Sequence, residues 1–180
     1  MAKAHAHSGD AISSSKIDPT TDQGLVVAST AIGADGRIDR RFTAEGDNVS
    51  PPLSWNDVAG AGAYVLIVED PDAPRPKPFV HWLAWNIPAQ MNELPEGLPL
   101  QPRLATPEGM VQGRNDMGST GWFGPKPLLG HGLHRYYFQL FAIDTPLGVA
   151  PDTDLETLVF ALQARTLAKG VVVGGYEAAA

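Results

Sequence analysis

The 180-residue chain contains no cysteine. That absence excludes disulfides, thiol nucleophiles, zinc–thiolate sites and iron–sulfur clusters. No run of about 18 apolar residues occurs, so no membrane-spanning helix is expected. There is no basic excess either. Thirteen Lys and Arg stand against twenty Asp and Glu, for a net charge of −7. Without a basic stripe, nucleic acid is not an expected partner. Residues 1–24 are polar and lack the continuous apolar stretch of a signal peptide, so the cytoplasm is the expected compartment. A phosphate loop of the Gly-x-x-x-x-Gly-Lys type is missing, and so is a Gly-x-Ser-x-Gly elbow. The pair Gly130 and Gly132 does not lead from a strand into a helix, so no dinucleotide fingerprint applies.

What is present describes a folded, loop-rich protein. Hydrophobic residues make up 43% and charged residues 18%, a globular balance rather than a disordered one. Nineteen glycines and sixteen prolines favour many turns over a helical bundle. The length fits one domain, here expected over 23–180 behind a mobile arm over 1–22. His5 and His7 fall in that arm and read as incidental. Apolar, β-branched runs over 25–32, 64–70, 82–87 and 135–143 read as strands. The run over 135–143 has aromatics in both alternating sets, so both faces of that strand should be covered. Residues 91–113 read as an excursion broken by Pro95, Pro99, Pro102 and Pro107. Leu155, Leu158, Val159 and Leu162 follow helical spacing, with Thr153 or Asp154 as N-cap and Gly170 as the stop. Val171 to Val173 then read as a short last strand. The fold class is mainly β, with small peripheral helices, one of them near the C-terminus.

Three segments carry residues that packing does not require. The run over 64–70 ends in Glu69 and Asp70 and leaves through Pro71, Asp72, Ala73 and Pro74. Those prolines would hold the carboxylates in place, although an acidic turn has the same composition. His81 enters an apolar strand at its start, either as a packed residue or as an acid, base or anion partner. His131 and His134 flank Gly132 before the strongest strand. With His81 and Asp70 they could make a metal site, but their spacing matches no recognised ligand framework, and no metal or other cofactor is expected.

Taken in order, these segments resemble the phosphatidylethanolamine-binding protein family, in its bacterial Raf-kinase-inhibitor-like branch. Four blocks carry the likeness: Asn48-Val49-Ser50-Pro51-Pro52-Leu53-Ser54-Trp55; Asp70-Pro71-Asp72-Ala73-Pro74; His81-Trp82 with Asn86-Ile87-Pro88; and Gly124-Pro125 through Gly132-Leu133-His134-Arg135-Tyr136. Gly175-Tyr176-Glu177 looks like the family's closing strand. The resemblance spans residues 25–177. It implies a Greek-key β-sandwich and a small pocket for anions such as phosphate or phospholipid headgroups. On matching positions the ligand-binding residues would be Asp70, His81, His134 and Tyr136, with Pro74 shaping the rim. The sequence departs from the family pattern in places. Val80 stands where relatives often carry an aromatic, Asn115-Asp116-Met117-Gly118 replaces Thr-Asp-Tyr-Gly, and Leu128 replaces the second proline of a pair.

Three kinds of function follow. The first is a binding module for a small anionic or phosphorylated ligand. The second is a regulator whose pocket rim docks a protein, such as a kinase or protease. The third is an enzyme using Asp70, His81 and His134 for proton transfer, as a lyase or phosphoester hydrolase, though no nucleophile or metal accompanies them. The first is the main expectation. Arg75 and Lys77 beside the pocket read as solvated charges that could steer an anion. The excursion over 91–113 is a candidate homodimer interface.

Overall fold

The computed structural model describes residues 12–179; His5, His7 and the first half of the expected arm lie outside the described residues. Among the described residues, eight strands and one α-helix follow in chain order: β1 (Val27–Ala28), β2 (Leu53–Trp55), β3 (Ala63–Asp70), β4 (Phe79–Pro88), β5 (Glu93–Leu94), β6 (Val111–Gln112), β7 (His134–Ile143), α1 (Leu155–Leu162) and β8 (Thr166–Tyr176). They form two antiparallel sheets. The larger runs β6-β4-β3-β7-β8 and the smaller β1-β2-β5. The expected β-sandwich class is therefore present. No helix among the described residues is long and apolar enough to cross a membrane.

β3 is buried at all eight positions, because both faces of the large sheet are covered. Tyr64, Leu66 and Val68 join Trp82, Phe138 and Leu140 on the face that packs Leu53, Trp55 and Leu94 of the small sheet. Val65 and Ile67 join Leu83, Trp85, Phe141 and Ile143 on the opposite face, under Leu158, Val159 and Leu162 of α1. This is the two-faced burial that the aromatic pattern of β7 implies. The Asp154 side chain caps α1 by accepting from the Thr157 amide at 2.7 Å. A short 3-10 turn, Ser13–Lys16, covers the same outer face. Ile17 after it is fully buried, and the Ser13 amide donates to Glu69 Oε2 at 2.8 Å. Residues 12–17, inside the span read as an arm, are thus docked on the sheet.

Gly170 does not stop the helix. The helix ends at Leu162, with Gln163 as its cap, and the chain turns at Ala164, whose φ is +63°. Gly170 instead lies inside β8, an eleven-residue strand rather than a three-residue one. A Cβ there would sit 2.2 Å from the Leu25 carbonyl oxygen, so the close approach of two backbones requires glycine. The runs over 25–32 and 91–113 contribute only the two-residue strands β1, β5 and β6, whose pairing depends on partners distant in sequence.

Gly170→Ala should therefore cost about 1–3 kcal/mol through overpacking, seen as a melting temperature several degrees lower. An unchanged melting temperature would contradict the Leu25 contact.

Candidate functional site

The C-terminal end of β3 and the N-terminal ends of β4 and β7 meet at one end of the large sheet. Asp70 pairs with Phe79, and Glu69 with both Val80 and Tyr137. Asp70, His134 and Tyr136 continue the alternation of the face that packs the small sheet. His81 joins them through an irregularity. Val68 pairs with Trp82 while Glu69 pairs with Val80, so His81 is the extra residue of a β-bulge. A bulge re-aims a side chain. Here it lets Trp82 fill the inter-sheet core while His81 also turns toward Tyr136, with ring centroids 5.0 Å apart, edge to face.

The site holds two histidines in opposed environments. His134 and Asp70 are each 3% exposed, and His134 Nδ1 donates to Asp70 Oδ2 at 2.7 Å. Burial alone would lower the His134 pKa, but the Asp70 hydrogen bond and the charges of Asp70 and Asp72 outweigh it and hold it above the ordinary histidine value. His81 lies among rings, with Phe79 at 4.7 Å, Phe123 stacked at 6.1 Å and Trp122 at 6.3 Å. Its Nδ1 donates to the Phe123 carbonyl at 2.6 Å, and the Phe123 amide donates back to the His81 carbonyl at 3.0 Å. Burial dominates and pulls the His81 pKa down to about 4 against the pull of that hydrogen bond and of Asp70 and Asp116. Among the described residues the Tyr136 hydroxyl has no hydrogen-bond partner and is buried, and burial pushes its pKa well up.

A second pair ties the loop after β3 to the start of β7. Asp72 Oδ2 accepts from the Arg135 amide at 2.9 Å and from its Nε at 2.8 Å, while Oδ1 accepts from Nη2 at 2.8 Å. This bidentate geometry is the strong form of the ion pair. Burial opposes ionisation of Asp72, but its bonds to Arg135 prevail and lower its pKa. The Asp72 amide in turn donates to Asp70 Oδ1 at 2.7 Å. Both Asp70 oxygens thus accept protein donors.

The structure brings together Asp70, His81, His134 and Tyr136. Pro74 lies exposed in the loop over 71–78, at the edge rather than among the buried groups. His131 is exposed, its ring centroid 5.8 Å from that of His134. Among the described residues, no group of three or more His, Asp or Glu side chains is placed to hold a metal ion. Arg75 is less free than a solvated charge. Its Nη1 lies 2.8 Å from Asp116 Oδ2, and its guanidinium lies 5.5 Å from the Phe79 ring centre. Lys77 pairs with Glu156 in solvent at 2.6 Å. Sequence reasoning missed Asp72, Arg135 and Phe123 as site residues. The first two stand inside motifs it singled out, but their pairing spans 63 residues. Phe123 acts through its backbone, which no residue type announces. Gly124 beside it allows the approach, since a Cβ there would lie 2.5 Å from the Phe42 carbonyl oxygen.

The fold is a two-sheet antiparallel β-sandwich with a buried polar cluster at one end of the large sheet. The family model described as phosphatidylethanolamine-binding protein matches residues 28–177, and the chain belongs to that family. It is 42% identical to a UPF0098 protein of Pyrococcus abyssi over 154 residues, 85% of each chain. To a UPF0098 protein of Methanothermobacter thermautotrophicus it is 44% identical over 143 residues, 79% of this chain and 91% of that one. Among solved structures, Escherichia coli YbcL, described as a new member of the mammalian PEBP family, superposes with a TM-score of 0.79 at 30% identity. The match covers 86% of this chain and 99% of that one.

The neutral His81 makes acid costly to the fold. It must take up a proton on unfolding once pH falls below the ordinary histidine value of about 6.5. The loss should grow to roughly 3 kcal/mol by pH 4. His134 works in the opposite sense, its contribution being full in acid and lost as pH rises through its raised pKa. Melting curves of the wild type and His81→Gln between pH 4 and 7 should therefore converge in acid. Parallel curves would contradict a neutral His81.

Proposed function

We propose that the protein is a binding module for a small anionic or phosphorylated ligand, held at the end of the large sheet by His134, His81 and Tyr136. The observation that carries this reading is the Asp70–His134 pair. Asp70 stabilises the imidazolium and fixes its Nδ1–H, so Nε2 of His134 is left as a charge-assisted donor. The buried, unpartnered Tyr136 hydroxyl beside it supports a ligand role, because such a group is costly without a partner. Pro74 and the loop around it form the rim in this reading. A cytoplasmic setting, with which the absence of cysteine agrees, is part of the same proposal.

A protein partner is the second reading, with a kinase or protease as its class. Leu128, Leu129 and Leu133, exposed in the loop leading to His134, favour it by placing apolar side chains next to the pocket. Self-association across residues 91–113 is proposed with it. That stretch borders an apolar groove of 480 Å³ lined by Pro88, Met91, Pro95 and Pro107, among others, and by none of the site residues. Acid–base catalysis would use the same two histidines, whose pKa values are pushed apart.

A thermal-shift titration with inorganic phosphate and phosphoserine tests the main reading. At about 100 times Kd a ligand adds about 2.7 kcal/mol, a rise of roughly 5–10 °C for this size. The rise should vanish in His134→Ala and in His134→Gln. In the wild type it should shrink as pH rises through the raised His134 pKa, because the donor cation is lost. An affinity that is flat between about pH 5.5 and 8, or a shift retained in both variants, would remove His134 from the site.

A further inference from the structure

The outer face of the large sheet carries polar side chains that packing does not require, away from the candidate site. Successive residues of a strand point to opposite faces, so Glu69 faces outward where Asp70 faces the site. Glu69 and Gln139 are buried, and a buried carboxylate or amide is costly without partners. Their partners lie in the chain segment over 12–17. Glu69 Oε2 accepts from the Ser13 amide at 2.8 Å, and Gln139 Oε1 accepts from the Ser14 amide at 2.6 Å. Lys169 Nζ, from β8, donates to the Ser14 carbonyl at 2.7 Å and to the Ile17 carbonyl at 2.6 Å. Gln139 Nε2 donates to Glu69 Oε2 at 2.7 Å, which fixes the amide's orientation.

These bonds to the segment all meet its main chain. Ser13 Oγ is buried without a partner among the described residues, and the Ser15 hydroxyl donates to the Ile12 carbonyl of its own turn at 2.7 Å. Side-chain recognition falls to Ile12 and Ile17, both buried. Ile17 joins Val65, Ile67 and Phe141 in the apolar cluster of the outer face. A peptide groove works in the same way: main-chain bonds supply affinity and apolar pockets supply selection. The segment contributes no strand to either sheet, and it precedes the stretch over 28–177 shared with the family.

We propose that Glu69, Gln139 and Lys169 form a peptide-binding site, occupied in cis by residues 12–17 and able to take a peptide of the same pattern in trans. The ligand class is a short turn with aliphatic residues five positions apart, as Ile12 and Ile17 are. Its second and third residues must carry free N–H groups, so proline is refused there. The hydroxyl of the second residue is not read.

Native-state hydrogen exchange of the wild-type chain tests the cis half. The Ser13 and Ser14 amides should be protected, yet exchange at least about tenfold faster than the amides of β3, because the turn leaves while the sheet stays folded. Protection equal to that of β3 would show that the turn leaves only on global unfolding and would overturn the proposal. Exchange as fast as in a free peptide would overturn it too, because the turn would not be held. Fluorescence anisotropy tests the trans half. The full chain carrying Ile12→Ser and Ile17→Ser keeps the groove and loses the anchors. A labelled, acetylated peptide of residues 12–18 should bind it at least about tenfold more tightly than it binds the wild type, whose groove is already filled by a tethered competitor. Ser13→Ala in the peptide should leave binding unchanged. Ser14→Pro in the peptide, or Gln139→Ala added to the chain, should weaken it about tenfold. No binding by the folded double variant, or a Ser14→Pro peptide that binds as well as its parent, would contradict the site. The wild-type exchange measurement decides the matter if the double variant does not fold.

Discussion

Everything at the candidate site depends on the three strand ends that meet at one edge of the large sheet, and on the Asp72–Arg135 pair that locks them. β3 leaves the sheet where β4 and β7 enter it, so any side chain near those ends is drawn to one place. Alone, a strand exit is the loosest part of a sheet. The bidentate bond between Asp72 and Arg135 closes it. The Asp72 amide then passes that rigidity to Asp70, and Asp70 passes it to His134. Because Asp72 and Arg135 are partly buried and doubly bonded, this pair is worth more than a surface contact of the Lys77–Glu156 kind.

On that frame, two histidines of identical chemistry acquire opposite roles. His134 gains a carboxylate that favours its cationic form. His81 gains a carbonyl and a wall of aromatic rings and is held neutral. The bulge that admits His81 is what separates them, since regular alternation would bury Trp82 or His81 on the inter-sheet face but not both. The two rings therefore present opposed hydrogen-bond polarity at one end of the large sheet.

Much of this was legible before any coordinates. The long strands β3, β4 and β7 are continuous apolar runs with β-branched and aromatic residues, and such runs declare themselves. Asp70, His81 and His134, at their ends, stood out because packing gives no reason for a charge or an imidazole there. The likeness to a known family added Tyr136 and implied that the four share a pocket. What stayed hidden was non-local. Gly170 carries the signature of a helix stop, and only the crossing of Leu25 explains a glycine inside a strand. The two-residue strands β5 and β6 have no pattern of their own, and β1 is only a fragment of the longer apolar run over 25–32. The bulge at His81 is a matter of register between two strands. Arg135 looks like any exposed arginine until Asp72 is placed against it.

The most direct test of the account is a side-chain ¹⁵N titration of the histidines by NMR. It predicts that His134 stays cationic above the ordinary histidine value. It predicts that His81 stays neutral down to acid, with the proton on Nδ1 and Nε2 bare. If the two titrate together near pH 6.5, or if the proton of His81 sits on Nε2, the opposed environments on which the site rests do not exist.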